Sequence, residues 1–325
     1  MQPRQVFIVG MNGSGTTMLL DCLAGHSKLF GYRGETKVLP YFMERQPEYG
    51  DLSEDANFTK LWLDLRATFS RDRWPAAAEP SAIAHWGARP RTAAQVFDAI
   101  MTALAGMEGK STWCEKTPMY VHHVSKLAAA LPGSKFIHVI RDGRDCAASF
   151  HRRWKFHPVR TSYRWKQAIR AGRSQGSVLG PRYCEIRYED LTAEPETSLG
   201  RLCNFLDVSY EPAILKPARV RPQMTGSSMA EIAPNQRRAQ GYFERSVLEK
   251  MERVAGQVLA ECGYEPVHAS GDLDPPRWQL RWWELLDDSR RMREALRRAA
   301  EVGGKNRFKF LSRRVKGALR QKSTL

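Results

Sequence analysis

The sequence predicts an α/β protein: a parallel sheet flanked by helices, with a helical extension at the C-terminus. Three observations carry that expectation. At residues 6–17 an apolar strand runs directly into a glycine-rich loop and a helix, Val-Phe-Ile-Val-Gly-Met-Asn-Gly-Ser-Gly-Thr-Thr. Short apolar segments then alternate with helical patterns as far as residue 206, which is the rhythm of β-α-β units. The last segment shows helical spacing and dense positive charge with no strand signal. The boundaries expected are a sheet-bearing domain over 1–268 and a basic helical extension over 269–325.

The elements follow in order. A strand at 5–9 leads to a helix at 16–24 and a short segment at 29–32. A helical pattern at 36–44 breaks at Gln46-Pro47, and another spans 58–69 before a Pro/Ala-rich stretch. Residues 92–105 form a good amphipathic helix. A strand at 112–115 precedes Thr117-Pro118, a helix start with Thr as cap and Pro in the first turn, and that helix stops at Leu131-Pro132-Gly133. Residues 135–140 are strongly apolar, as expected of a buried parallel strand. A helix starts near 143 and continues past 154, a strand covers 182–187, and a helix covers 195–206. Segments 45–90 and 155–180 read as loops. Ligands of such sheets bind at the carboxyl ends of the strands, which here are the turns after Val9, Glu115 and Ile140.

Composition narrows the class. Hydrophobic residues make up 42% of the 325, enough for a globular core, and no apolar run approaches membrane-spanning length. The first strand begins within a few residues of Met1, so no signal peptide is expected and residence is cytoplasmic. None of the six cysteines forms a C-x-x-C pair, which argues against zinc and fits a reducing compartment. The net charge of +16 is uneven: residues 290–325 hold 13 Lys/Arg against 2 Asp/Glu.

The loop at 10–17 is a socket for a tetrahedral oxyanion. Its backbone N–H groups turn inward and the following helix adds its positive end. Gly10 and Gly15 have the spacing of a Walker A loop, but Thr16 stands where the phosphate-binding Lys belongs, while Thr17 keeps the Ser/Thr position. The sheet is therefore P-loop NTPase-like without the cation of an ATP-using enzyme. A second anion site follows the strand at 136–140. Arg141 stands at the strand end, and Ser149 and Arg153, four apart, share a helix face. Together they offer a three-point grip on a second phosphate.

This pair of sites resembles that of sulfotransferases that use 3′-phosphoadenosine 5′-phosphosulfate (PAPS), and the likeness runs from Val6 to about Tyr264. Gly13-Ser14-Gly15-Thr16-Thr17 is similar to the family's first motif. The stretch Phe136-Ile137-His138-Val139-Ile140-Arg141-Asp142-Gly143-Arg144-Asp145 with Ser149 is similar to the second. The resemblance implies that Asn12, Gly13, Ser14, Gly15, Thr16 and Thr17 hold the 5′-phosphosulfate end, that Arg141, Ser149 and Arg153 hold the 3′-phosphate, and that Tyr188 of Tyr188-Glu189-Asp190-Leu191 lies near the adenine. Arg237 and Arg238, before Gly241-Tyr242-Phe243, are similar to a loop that covers the nucleotide.

The tyrosylprotein and bacterial branch is the nearest in pattern. Gly34-Glu35-Thr36-Lys37-Val38-Leu39-Pro40 is similar to its Glu-Thr-Arg-Ile-Ile-Pro stretch, which implies Glu35 as general base. Cys114-Glu115-Lys116-Thr117-Pro118 is similar to its Asn-Lys-Asp-Pro segment, which implies Lys116 on the leaving group. His122 and His123 are rivals for the base, because cytosolic members use a His. The chain departs from the pattern at Gly13, where relatives carry Arg or Lys; Lys116, Arg33 or Lys37 would have to supply that charge. PAPS is the implied co-substrate, with no metal. The implied acceptor is a hydroxyl on a glycan, glycolipid or other metabolite, with peptide tyrosine the next choice.

Two other classes remain open on the sequence. One is an inactive anion-binding or membrane-adapter protein on the same fold, and the other is a P-loop small-molecule kinase. Trp278, Trp282, Leu285, Leu286, Met292 and Leu296 recur at helical spacing, and Phe308, Leu311, Val315 and Leu319 do so among basic residues. That pattern fits a helix on an anionic membrane surface at the inner face, or one packed on the core. No nucleic-acid module is present, so no nucleic acid is expected as partner.

Overall fold

The structure, a computed structural model, describes residues 5–32, 34–69, 83, 86–216, 232 and 239–302. The chain divides into two compact units, Met1–Arg141 with Gln167–Gln236, and Asp142–Lys166 with Arg237–Leu325.

The first unit is built on five parallel strands, β1 (Gln5–Gly10), β2 (Leu29–Gly31), β3 (Thr112–Lys116), β4 (Lys135–Ile140) and β5 (Tyr183–Arg187), in the order β2-β3-β1-β4-β5. β1 is central because it is apolar on both faces, and Val6 to Val9 are all fully buried. Val6 and Ile8 join Leu19, Leu20 and Leu23 of α1 (Thr16–Leu23) and Leu199, Leu202 and Cys203 of α9 (Pro195–Phe205). Phe7 points the other way. It stacks on Phe136 with centroids 5.3 Å apart and meets Trp113 edge-on at 5.2 Å, and Trp113 in turn meets Phe97 of α4 (Ala93–Met107). The alternation along one strand thus builds two core layers, each large side chain contributing roughly 1.5–3 kcal/mol.

The register fixes what stands at the carboxyl edge. Phe7 lies opposite Glu115 and Ile8 opposite Lys116, Gly10 opposite Val139, and Ile140 opposite Arg187. Because every pairing is parallel, Gly10, Lys116, Arg141 and Tyr188 all emerge from the same end of the sheet.

Several elements differ from the sequence expectation. The pattern at 36–44 becomes helical only at α2 (Leu39–Arg45), with Lys37 in the left-handed region at φ 56°. The helix expected at 58–69 is α3 (Asp55–Arg66). The Thr117-Pro118 start opens as a 3-10 turn (Pro118–His123) before α5 (Val124–Ala130). The helix from Gly143 does not pass Trp154: α6 (Gly143–Trp154) stops because Lys155 turns left-handed at φ 57°. The segment 155–180, expected as loop, is largely the nineteen-residue α7 (Pro158–Gly176). A short α8 (Tyr188–Ala193) follows β5 directly.

The second unit contains α6, the first turns of α7, α10 (Arg245–Glu261) and α11 (Arg277–Val302). Ala147 and Ala148 pack with Leu248, Met251 and Val254. Buried charges are matched: Arg144 donates to Asp142 and Glu252, and Lys166 donates to Asp272, Asp274 and the Leu273 carbonyl. Asp287 fastens α11 by accepting from the His157 amide at 2.8 Å and from Arg160 at 2.9 Å. Residues 303–325, with the second basic repeat, lie outside the described residues. No helix among the described residues is long and apolar enough to cross a membrane.

Candidate active site

The loop after β1 has the form of an anion socket. Gly13 and Gly15 take φ of 89° and 100°, a region that side chains rarely adopt. Gly15 is the N-cap of α1, with no side-chain cap and no acid in the first turn, so the helix presents its N-terminal amides without a protein carboxylate in competition. The Ser14 amide donates to the Met11 carbonyl at 3.0 Å, closing the turn. Asn12 Oδ1 and Ser14 Oγ are buried with no hydrogen-bond partner among the described residues. Buried polar atoms left this way are costly without a ligand or water to satisfy them. The Ser14 hydroxyl, beside a helix N-terminus, can donate to a phosphosulfate, whereas the Asn12 amide oxygen can only accept. Thr16 is buried and Thr17 half-buried beside them.

Arg141 and Tyr188 close the side of this loop. The Arg141 guanidinium donates from Nη1 to the Gly13 carbonyl at 3.2 Å and lies 4.3 Å over the Tyr188 ring. Tyr188 packs so closely on Gly15 that a Cβ there would fall 2.3 Å from its Cδ2. The two motifs carrying Arg141 and Tyr188 therefore converge on the first. Ser149 and Arg153 lie in the second unit, one turn apart on α6. Ser149 is buried, whereas Arg153 is exposed with its guanidinium 5.9 Å from the Trp154 ring centroid. Arg237, Arg238 and Arg33 lie outside the described residues.

Glu35 and Lys116 form a pair. Lys116 Nζ donates to Glu35 Oε1 at 2.9 Å, and Lys37 Nζ stands 2.9 Å from Glu35 Oε2. Burial pushes the Glu35 carboxyl up, but the two lysines outweigh it and hold the group below the ordinary carboxylate range. The Lys116 side chain is almost wholly buried, whereas that of Lys37 is half exposed. Of the rival bases, His123 is pushed down by burial and faces Glu44 and Lys126 rather than this pair.

Sequence reasoning gave Glu115 no role. It is fully buried, and its Oε1 accepts from the Thr36 amide at 3.1 Å, from Thr36 Oγ1 at 3.0 Å and from Thr117 Oγ1 at 2.5 Å. Burial pushes its carboxyl up to about 7 despite those donors and the neighbouring Lys116. A glutamate beside a lysine at the carboxyl end of a short strand was the signal. Its partner, 79 residues away, was not visible.

A parallel α/β sheet with a cation-poor glycine loop and Arg141 beside it has the form of an anion-binding site at the carboxyl edge. A family model described as the sulfotransferase family matches residues 3–212, and the chain belongs to that family. Protein-tyrosine sulfotransferase 2 of Gallus gallus is 24% identical over 287 residues, covering 80% of this chain and 69% of that protein. Protein-tyrosine sulfotransferase 1 of Danio rerio is 22% identical over 316 residues, covering 89% and 79%. Among solved structures, the sulfotransferase domain from the curacin biosynthetic pathway superposes with a TM-score of 0.50 at 25% identity, covering 82% of this chain and 99% of that one. The chain is a sulfotransferase enzyme, and its donor is the family's PAPS.

Proposed function

We propose that this enzyme sulfates a phenolic hydroxyl, that of a peptide tyrosine, with Glu35 as general base and Lys116 on the leaving group. The ion pair of Glu35 with Lys116 carries the reading. A carboxylate held low by two lysines is a weak base. It suits a phenol, whose proton is lost near pH 10, better than a far less acidic sugar hydroxyl. The relatives named protein-tyrosine sulfotransferases support the same acceptor class.

The mechanism assigns each group a task. The loop amides from Gly13 to Thr17 and the Ser14 hydroxyl hold the 5′-phosphosulfate end. Arg141 holds the 3′-phosphate, and Tyr188, stacked beneath its guanidinium, lies by the adenine. The acceptor oxygen forms a bond to sulfur as the bond from sulfur to the 5′-phosphate oxygen breaks, and the acceptor proton passes to Glu35. Lys116 stabilises the negative charge that develops on the departing phosphate oxygen. As Lys116 turns to that oxygen it loosens its hold on Glu35, which becomes a stronger base when the proton must move. Catalysis of this type rests on positioning and charge stabilisation.

We also infer that α11 and the basic residues after it dock on an anionic membrane. Trp278, Trp282, Leu285 and Met292 are exposed along α11, and the net charge of residues 290–325 is strongly positive.

The test is transfer of labelled sulfate from PAPS to a panel of acceptors. Label is expected on a tyrosine peptide, not on its phenylalanine counterpart, with Glu35→Gln lowering the rate by about 10²–10³. Label confined to glycans or glycolipids overturns the phenolic acceptor, and a Glu35→Gln rate equal to the parent's overturns the base.

A further inference from the structure

We propose that Glu115 is a positioning residue for catalysis, fixing the strand-free loop that carries Glu35 by accepting the hydrogen bonds of Thr36. The inference rests on Glu35 as the base and adds the group that holds it in place.

Two adjacent residues on β3 grip two adjacent residues of the loop. Lys116 reaches Glu35 and Glu115 reaches Thr36. Alternation along the strand sends these two side chains to opposite faces of the sheet: Lys116 stands in register with Ile8, Glu115 with Phe7. The loop is therefore pinned at consecutive residues from two sides. The pinning continues along the loop: the four successive amides of Thr36, Lys37, Val38 and Leu39 all donate to side chains of one short segment. Glu115 takes the first, Thr117 Oγ1 the second at 3.4 Å, and the Tyr120 hydroxyl the third and fourth at 3.0 Å each. Thr36 Oγ1 also lies 2.8 Å from that hydroxyl. Such donors would otherwise need water, because α2, starting at Leu39, gives the amides at its N-terminus no intrahelical acceptor.

The arrangement needs a side-chain carbonyl or carboxylate oxygen at 115. A single buried oxygen takes three donors, and only a carboxylate or an amide carbonyl offers the required acceptor sites. The loop gives up local comfort for this geometry, since Lys37 sits at φ 56°. Glu115 has no exposed surface, so its part is to hold Glu35 at Lys116 rather than to meet the acceptor.

The experiment compares Glu115→Leu, Glu115→Gln, Thr36→Val and Glu35→Gln in the full chain, using a tyrosine peptide as acceptor. kcat and KM are measured alongside calorimetric binding of 3′-phosphoadenosine 5′-phosphate. Glu115→Leu should lower kcat about 10- to 100-fold, the scale of a small misplacement of a catalytic group. Nucleotide affinity should stay within about twofold, because the loop after β1 does not depend on this contact. Glu115→Gln, which keeps the acceptor oxygen, should restore most of the rate. Thr36→Val serves where Glu115→Leu fails to fold, and should lower kcat without changing nucleotide binding. If Glu35→Gln is inactive while both Glu115→Leu and Thr36→Val keep the parent kcat, the positioning role is wrong and the base stands. If nucleotide affinity falls together with kcat, Glu115 supports the fold at large and the proposal fails. A Glu35→Gln enzyme with the parent rate removes the base itself, and that failure is separate from either of these.

Discussion

Lys116→Met is the sharpest perturbation of the proposed site. It keeps the length of the side chain and removes the charge. The side chain is only 6% exposed and its ammonium lies 2.9 Å from Glu35 Oε1, so its interaction with charge developing on the donor is little screened by water. Loss of such a group typically costs about 3–4 kcal/mol in the transition state, or roughly 10²–10³ in kcat. A partial gain opposes this. Glu35 keeps only Lys37, which is 46% exposed, and so becomes a stronger base, returning a small factor. The expected net loss in kcat is about 100-fold. The pH dependence has a definite sign. Burial raises the Glu35 pKa, Lys116 is the larger of the two charges lowering it, and the net direction in the parent is down. The acidic limb of kcat/KM should therefore move to higher pH in the variant.

Stability follows the same linkage. A carboxylate whose folded pKa is depressed contributes stability that is fully present above its unfolded value and is lost as pH falls through the folded one. The gap between parent and variant should be full near pH 7 and close in acid. Removing one partner of a buried pair costs about 3–5 kcal/mol. Glu35 is 23% exposed and retains Lys37, which brings the expectation down to about 1–2 kcal/mol. Sulfate transfer measured from pH 3 to 9, with urea unfolding at pH 7 and pH 4, reads all three quantities, since the parent's acidic limb lies below the ordinary carboxylate range. A kcat within threefold of the parent, or an acidic limb that stays or moves lower, refutes the assignment of Lys116.

Other outcomes follow from the same geometry. Gly15→Ala forces a side chain into φ 100° and into the Tyr188 ring. It should weaken nucleotide binding more than tenfold and destabilise by about 2–4 kcal/mol, and calorimetry showing unchanged affinity would remove the loop from the donor site. Arg141→Lys replaces a planar group stacked on Tyr188 by a point charge. The KM for PAPS should rise about tenfold with little change in kcat, and an equal KM would count against the 3′-phosphate role. Truncation after Asp288 removes 13 basic residues. Sedimentation with phosphatidylserine vesicles should then lose its salt-sensitive component, and full retention would exclude the tail as the anchor.

Local chemistry explains which parts of this were legible. The strand at 135–140 is legible at its observed bounds because Phe136, Ile137, Val139 and Ile140 make it strongly apolar and Pro-Gly and a charged turn bracket it. The glycine loop was legible for the same kind of reason, its function being carried by backbone geometry that only glycine permits. α7 was missed because its buried side chains do not look buried. Thr161, Ser162 and Lys166 lie inside with Trp165, and Lys166 is tolerable there only because Asp272 and Asp274 arrive more than a hundred residues later. Residues 36–38 were read as helix on side-chain type, yet their amides are taken by Glu115, Thr117 and Tyr120. Of the proposed catalytic pair, the residue types were legible in the motifs. Their meeting at 2.9 Å is not, because it depends on β2, which leads into the Glu35 loop, lying beside β3.

The absent cation at Gly13 gives the site its particular distribution of charge. A residue with a side chain at that position would have to adopt φ near 89°, at a cost of roughly 1–2 kcal/mol. The carbonyl there is already used by Arg141. Within the proposed mechanism, positive charge is held instead by Lys116 on β3 and Lys37 on the loop before α2, both on the one carboxylate that must accept the proton. Base and cations thereby restrain each other until an anionic donor competes for the lysines. Full base strength then appears only with the donor in place, which protects the acceptor from unproductive deprotonation and favours a sequence in which PAPS binds first. Initial-rate patterns with 3′-phosphoadenosine 5′-phosphate as inhibitor should accordingly be competitive against PAPS and mixed against the acceptor. Competitive inhibition against both substrates would mean that the acceptor engages Glu35 without the donor, and the mutual restraint would have no part in the reaction.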